Sequence, residues 1–142
     1  MNKKNILAIE ECSAVNYILN SVLKKDFAIT SVNNCNSALQ AIRTNCDQDV
    51  IILNIPDEES ENYKFLNYIH SSALLKDTKT IVISNYDDDI LRDKTRALGA
   101  SLYLSKPFDP VFLSESIQSM LGDKKPLPQI KKRKFSFSLN IF

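Results

Sequence analysis

Glycine is nearly missing from this chain: among 142 residues only Gly99 and Gly122 lack a side chain. Phosphate-cradling loops of the Walker or dinucleotide type need several glycines between a strand and a helix, so nucleotide enzymes of those kinds are excluded. Long apolar runs are also absent. No stretch approaches the roughly 18 apolar residues of a membrane span. The opening MNKKNILAIEE reaches acids after about four apolar residues, too soon for a secretory signal. A cytoplasmic protein is expected. Cys12, Cys35 and Cys46 form an odd set with no CxxC or Cys/His pairing and read as reduced thiols. The single histidine, His70, reads as a surface helix residue, not as a base or ligand.

What remains is ordinary for one globular domain with a real core: 44% of residues are hydrophobic and 25% charged. The net charge of +1 hides an asymmetry. Six basic residues follow Gly122 against the single acid Asp123, so the tail carries +5 and residues 1–122 carry −4.

Apolar runs short enough for buried strands occur at Ile6–Ile9, Phe27–Val32, Val50–Ile55, Thr80–Ser84 and Ser101–Leu104. Each precedes a segment with helical spacing. The first helix presents Val15, Ile18, Leu19, Val22 and Leu23 behind Ser13 as cap; the second presents Ala38, Ala41 and Ile42 after Asn36; the third presents Phe65, Leu66 and Ile69 after Asn62. The fourth begins in the acids 87–89, carries Ile90, Leu91, Lys94, Ala97 and Leu98, and stops at Gly99. The fifth has Asp109 as cap and Pro110 in its first turn, buries Phe112, Leu113, Ile117, Met120 and Leu121, and stops at Gly122. Five βα units imply an α/β fold, a doubly wound five-stranded parallel sheet with right-handed crossovers, whose site lies at the carboxyl ends of the strands.

Those ends carry Glu10 and Glu11 after the first strand, Asn54 at the third, Ser84 at the fourth, and Tyr103 with Lys106-Pro107 at and after the fifth. Each has a plain reading. The glutamates suit a solvated helix start, Ser84 suits a turn whose backbone it satisfies, and Tyr103 suits a half-buried sheet aromatic. Lys106 before Pro107 beside two acids is the hardest to read that way.

As a set, these residues resemble the receiver domain of bacterial two-component response regulators, with the chemotaxis-type (CheY-like) single-domain regulator the nearest pattern. The resemblance covers residues 4–121; its most specific pieces are GASLYLSKPFDP and the ungapped DVIILNI. It implies the flavodoxin-like strand order 2-1-3-4-5. In that family the middle strand ends in an aspartate that takes a phosphoryl group from a histidine kinase, the paired acids hold Mg²⁺, the lysine contacts phosphoryl oxygens, and the hydroxyl and aromatic switch position. By register Asn54 holds the phosphoacceptor position, Glu10 and Glu11 the acid pair with Pro56 beside them, Ser84 and Tyr103 the switch positions, and Lys106 with Pro107 the phosphoryl-contact position.

An amide is no substitute for the aspartate. Its oxygen is uncharged, and an acyl phosphate cannot form without losing the nitrogen. The pocket also carries one carboxylate fewer, and a unit charge pair at ~4 Å is worth about 4 kcal/mol at an effective dielectric near 20. No cofactor is therefore expected, with Mg²⁺ held weakly at most, and Lys106 is expected to pair with Glu10 and Glu11 instead. The loop PDEESEN lacks the proline-glycine turn of active receivers and sets Asp57, Glu58, Glu59 and Glu61 around the mouth, which favours natural divergence over a single engineered substitution.

The expectation is thus a non-enzymatic receiver-like signalling domain over residues 1–122, not phosphorylated at the usual position and acting by protein contact. The family implies the fourth helix, fifth strand and fifth helix as the contact face, with a homodimer compatible. Two rivals stand beside it: an active phosphotransfer receiver with another acceptor such as Asp57, and a flavodoxin-like cofactor binder. Residues 123–134 read as a basic, proline-containing linker. In residues 135–142, Phe135, Phe137, Leu139 and Ile141 alternate onto one face, a strand pattern in need of a partner edge. One basic cluster with no recognition fold behind it gives little support for nucleic-acid or membrane contact.

Overall fold

Successive side chains of a strand point to opposite faces, and in the central strands of this protein both sets are buried. In the computed structural model, which describes residues 3–122, Ile6 and Ala8 of β1 (Lys4–Ile9) face one layer and Leu7 and Ile9 the other. Val50 and Ile52 of β3 (Val50–Asn54) are likewise opposed to Ile51 and Leu53. Burying a Leu or Ile contributes ~1.5–3 kcal/mol, so a strand with five buried residues belongs in the middle of a sheet covered on both sides. The sheet is parallel with order β2-β1-β3-β4-β5, where β2 is Phe27–Val32, β4 Lys79–Ser84 and β5 Leu102–Ser105. This is the order expected above.

Helices α1 (Ser13–Leu23) and α5 (Pro110–Met120) close one face through Leu19, Leu23, Leu113 and Ile117. Helices α2 (Cys35–Thr44), α3 (Glu61–Ser71) and α4 (Asp89–Ala97) close the other through Ala38, Ile42, Phe65, Leu66, Ile69 and Leu91. Among the described residues no helix is long and apolar enough to cross a membrane.

Three caps differ from expectation. The α1 N-cap is Cys12, without a side-chain cap bond, and Ser13 is already helical. Asn34, not Asn36, caps α2 by accepting from Ser37 N–H, and Ser60, not Asn62, caps α3 by accepting from Tyr63 N–H. In each case the helix starts one or two residues early. Asp88 and Asp109 cap α4 and α5.

The buried row of α4 is also corrected. Leu91, Thr95 and Leu98 pack inward at helical spacing, while Ile90 is 67% exposed and Lys94 and Ala97 face solvent. His70 is not a plain surface residue. It is half-buried, its Nε2 lies 2.9 Å from Thr80 Oγ1, and its ring lies so close to Gly99 that a Cβ there would sit 2.6 Å from Nδ1. Gly99 has φ +111° and ends α4 as expected. Burial lowers the His70 pKa from its ordinary 6.5.

Candidate functional site

Because all five strands run the same way, their carboxyl ends collect at one edge of the sheet. Glu10 follows β1 directly and is 2% exposed. Its N–H extends the ladder to Val32 O, its carbonyl accepts from Asn16 Nδ2 at 2.6 Å, and its Oε2 accepts from Cys12 N–H at 2.9 Å. The chain turns there into α1, so Glu11 points outward and is exposed. The structure thus separates the two glutamates.

Lys106 Nζ lies 3.1 Å from Glu10 Oε1. The approach is off the hydrogen-bonding direction, so the contact is an ion pair, and Glu10 Oε1 accepts no hydrogen bond from the described residues. Lys106 is positioned by its own N–H, which donates to Ser84 O at 2.7 Å, and its peptide bond to Pro107 is cis.

Asn54 ends β3 in register with Ile83 and is 9% exposed. Its side-chain Oδ1 is buried and likewise accepts no hydrogen bond from the described residues. Its carbonyl accepts from Asn62 Nδ2 at 2.7 Å, and Asn62 Oδ1 in turn accepts from the Cys35 thiol at 2.8 Å. Burial, then the charge of Glu61, pushes the Cys35 thiol pKa up, keeping it protonated as donor. Pro56 is half-buried beside this edge, and Asp57, Glu58 and Glu59 are exposed. The Asp57 carboxylate is engaged locally, accepting from Glu59 N–H at 2.9 Å.

Ser84 is fully buried, and its Oγ accepts from Tyr86 N–H at 3.3 Å. Tyr103 reaches the same turn: its hydroxyl donates to Tyr86 O at 2.8 Å, and the Arg92 guanidinium sits 5.0 Å above its ring. Arg92 is held by Asp87 at 2.6 Å and Asp89 at 2.5 Å. Lys94 of α4 pairs with Glu58 of the β3–α3 loop.

Glu10, Asn54, Ser84 and Lys106 therefore collect at the carboxyl edge of the sheet, where Lys106 joins Glu10 and Ser84, Tyr103 stands at its α4 side, and Glu11 and Asp57 are exposed. Phe135, Phe137, Leu139 and Ile141 lie outside the described residues. Sequence reasoning missed Asn62, Cys35 and Arg92. Asn62 read as a cap, and nothing local marks a side chain that reaches back across a loop.

The donor set does not fit a tightly held Mg²⁺. Glu10 is already opposed by Lys106, Asn54 offers a neutral oxygen, Glu11 is turned out, and among the described residues no group of three His, Cys, Asp or Glu side chains could hold a metal ion.

The sequence model of the response regulator receiver domain matches residues 6–118. Among solved structures, the chain is similar to a response regulator from Thermotoga maritima, at 22% identity over 84% of this chain and 98% of that one, with a TM-score of 0.76. It is also similar to a CheY-like receiver domain protein from Methanospirillum hungatei JF-1, at 21% identity over 86% and 96% with TM-score 0.74. A third similar structure is the Mn²⁺-bound response regulator Rcp1, at 18% identity over 89% and 99% with TM-score 0.71. At these identities the structural likeness establishes the fold.

Proposed function

Taking as premise that this chain belongs to the response regulator receiver domain family of two-component signalling, we propose that it is a pseudo-receiver that signals by protein contact without phosphorylation at the usual position. The observation that carries this reading is Asn54. It stands buried at the end of β3, the strand next to β1, at the same carboxyl edge of the sheet as Glu10 and Lys106, where the family's chemistry needs a carboxylate nucleophile. With the amide in place no acyl phosphate forms there, and the Lys106–Glu10 pair balances the pocket's buried charge without a metal. The protein then works as a cytoplasmic binding module and not as an enzyme.

The contact face in this reading is α4, β5 and α5. It is supported by Tyr86, Ile90 and Val111, which are 60%, 67% and 59% exposed along that side, in the turn before α4 and at the starts of α4 and α5. A homodimer through this face fits the same reading. Family membership takes the place of the flavodoxin-like cofactor-binder reading, and no observation favours Asp57 as an acceptor, since it lies outside the pocket.

The test is incubation with acetyl phosphate and Mg²⁺ followed by intact mass and peptide mapping. The unmodified protein is expected to stay unmodified. A stoichiometric phosphoryl adduct at Asp57, or anywhere at the pocket, would sink the pseudo-receiver reading.

A further inference from the structure

Among the described residues strand β5 is a sheet edge, paired only with β4. Ser101 N–H donates to Thr80 O, so residues 101 and 103 face β4 and the backbone groups of Leu102 and Leu104 point away from the sheet. An open edge of this kind is a template for another strand. Its two sides differ in chemistry. On the α5 side Leu102 and Leu104 join the core with half-buried Phe112, and exposed Val111 stands at the upper end. On the α4 side a groove of about 220 Å³ is lined by Arg92, Arg96, Ser101 and Tyr103. Among the described residues Arg96 pairs only with Asp93, at 3.9 Å, and its side chain is 69% exposed.

The occupant with matching alternation is in this chain. In FSFSLNIF, Phe135, Phe137, Leu139 and Ile141 share one side, while Ser136, Ser138 and Asn140 share the other. Run antiparallel to β5, the first set meets the Leu102–Leu104 side, and the second offers oxygens to the guanidinium groups. Direction is set by charge. The basic run Lys131–Lys134 immediately precedes Phe135 and would lie at the carboxyl end of β5, beside Asp87, Asp88 and Asp89. The other edge strand, β2, is followed by Asn33 and Asn34 and has exposed Glu11 beside its carboxyl end, one acid against the three at 87–89.

The reach suffices. Helix α5 ends at the opposite edge of the sheet, where Gln118 Nε2 bonds to Asp26 Oδ2 in the turn before β2. Eleven helical residues span about 16 Å, whereas twelve linker residues extend up to about 40 Å.

We propose that residues 135–142 dock intramolecularly on the outer edge of β5, with Lys131–Lys134 against Asp87–Asp89. The docked segment covers the β5 part of the α4–β5–α5 face, so it competes with any partner there. The docking itself stands apart from the chemistry of Asn54.

The test is amide hydrogen exchange on the full chain and on the full-length variant F137D/L139D, whose substitutions leave residues 3–122 unchanged. The amides of Leu102 and Leu104 are expected to exchange about tenfold faster in the variant, with Ile6 and Ile52 unchanged. Unaltered exchange at Leu102 and Leu104, or a change at Ile29 and Ser31 on the β2 edge instead, would overturn the proposal. So would protection that falls on dilution, which would assign the edge to a second copy's tail.

Discussion

Lys106 Nζ and Glu10 Oε1 stand 3.1 Å apart although their strands, β5 and β1, are separated in the sheet by β3 and β4. The pair therefore bridges over the ends of the two central strands. With Glu10 2% exposed and the Lys106 side chain 18% exposed, removing the lysine leaves a buried carboxylate without compensation. Lys106→Met is expected to cost about 2–3 kcal/mol, toward the low side of a broken buried pair. The double variant Glu10→Gln/Lys106→Met is expected to recover more than half. Urea unfolding of the four proteins in a double-mutant cycle measures the coupling; additive losses would mean that the pair is not a functional unit.

Restoring a carboxylate should restore the chemistry. Asn54→Asp places a second anion beside Glu10 and is expected to lower Tm in chelator, to raise it again with Mg²⁺, and to yield a phosphoryl adduct with acetyl phosphate. The unmodified protein should show none of these Mg²⁺ effects. Thermal melts with and without Mg²⁺ and intact mass read both properties.

Helix α4 gives a contrast between neighbours. Ile90 is 67% exposed and Leu91 is 3% exposed. Ile90→Glu is expected to change stability by less than about 0.5 kcal/mol, whereas Leu91→Ala should cost ~2–4 kcal/mol through cavity formation. Equal destabilisation by Ile90→Glu would mean that Ile90 packs inward.

His70 gives a pH dependence with a defined sign. Its pKa in the folded protein lies below the ordinary 6.5 because burial disfavours the charged ring, so the unfolded chain binds the extra proton first. Its contribution is fully present above pH 6.5 and is lost as the pH falls through the lower folded value. His70→Gln should flatten the loss of Tm between neutral and mildly acidic pH. Gly99→Ala at pH 7 should destabilise by about 1–3 kcal/mol, since it combines a positive φ with contact on the His70 ring.

The strands could be read from sequence because residues such as Ile51 and Ile52 are buried on opposite faces, leaving short unbroken apolar runs with polar residues at their ends. Strand ends in turn mark the carboxyl edge of the sheet, where Asn54, Ser84 and Lys106 lie. The face of α4 was misread because hydrophobicity was taken as burial: Thr95 is fully buried with its hydroxyl bonded to Arg92 O, and Ile90 is not buried. The separation of Glu10 from Glu11, the reach of Asn62 to the Asn54 carbonyl and the stacking of Arg92 on Tyr103 depend on chain direction after a turn or on contacts between distant elements. No local spacing encodes them.

The Lys94–Glu58 pair joins α4 to the acidic β3–α3 loop, with the two side chains 46% and 42% exposed. Water and dissolved ions reach it freely, and at 1 M salt electrostatic screening acts over about 3 Å. The sheet and its two apolar layers are indifferent to that screening. Ionic strength thus weakens this one exposed tie between helix and loop, while buried Leu91 and Thr95 keep α4 on the sheet in dilute buffer and in concentrated salt alike.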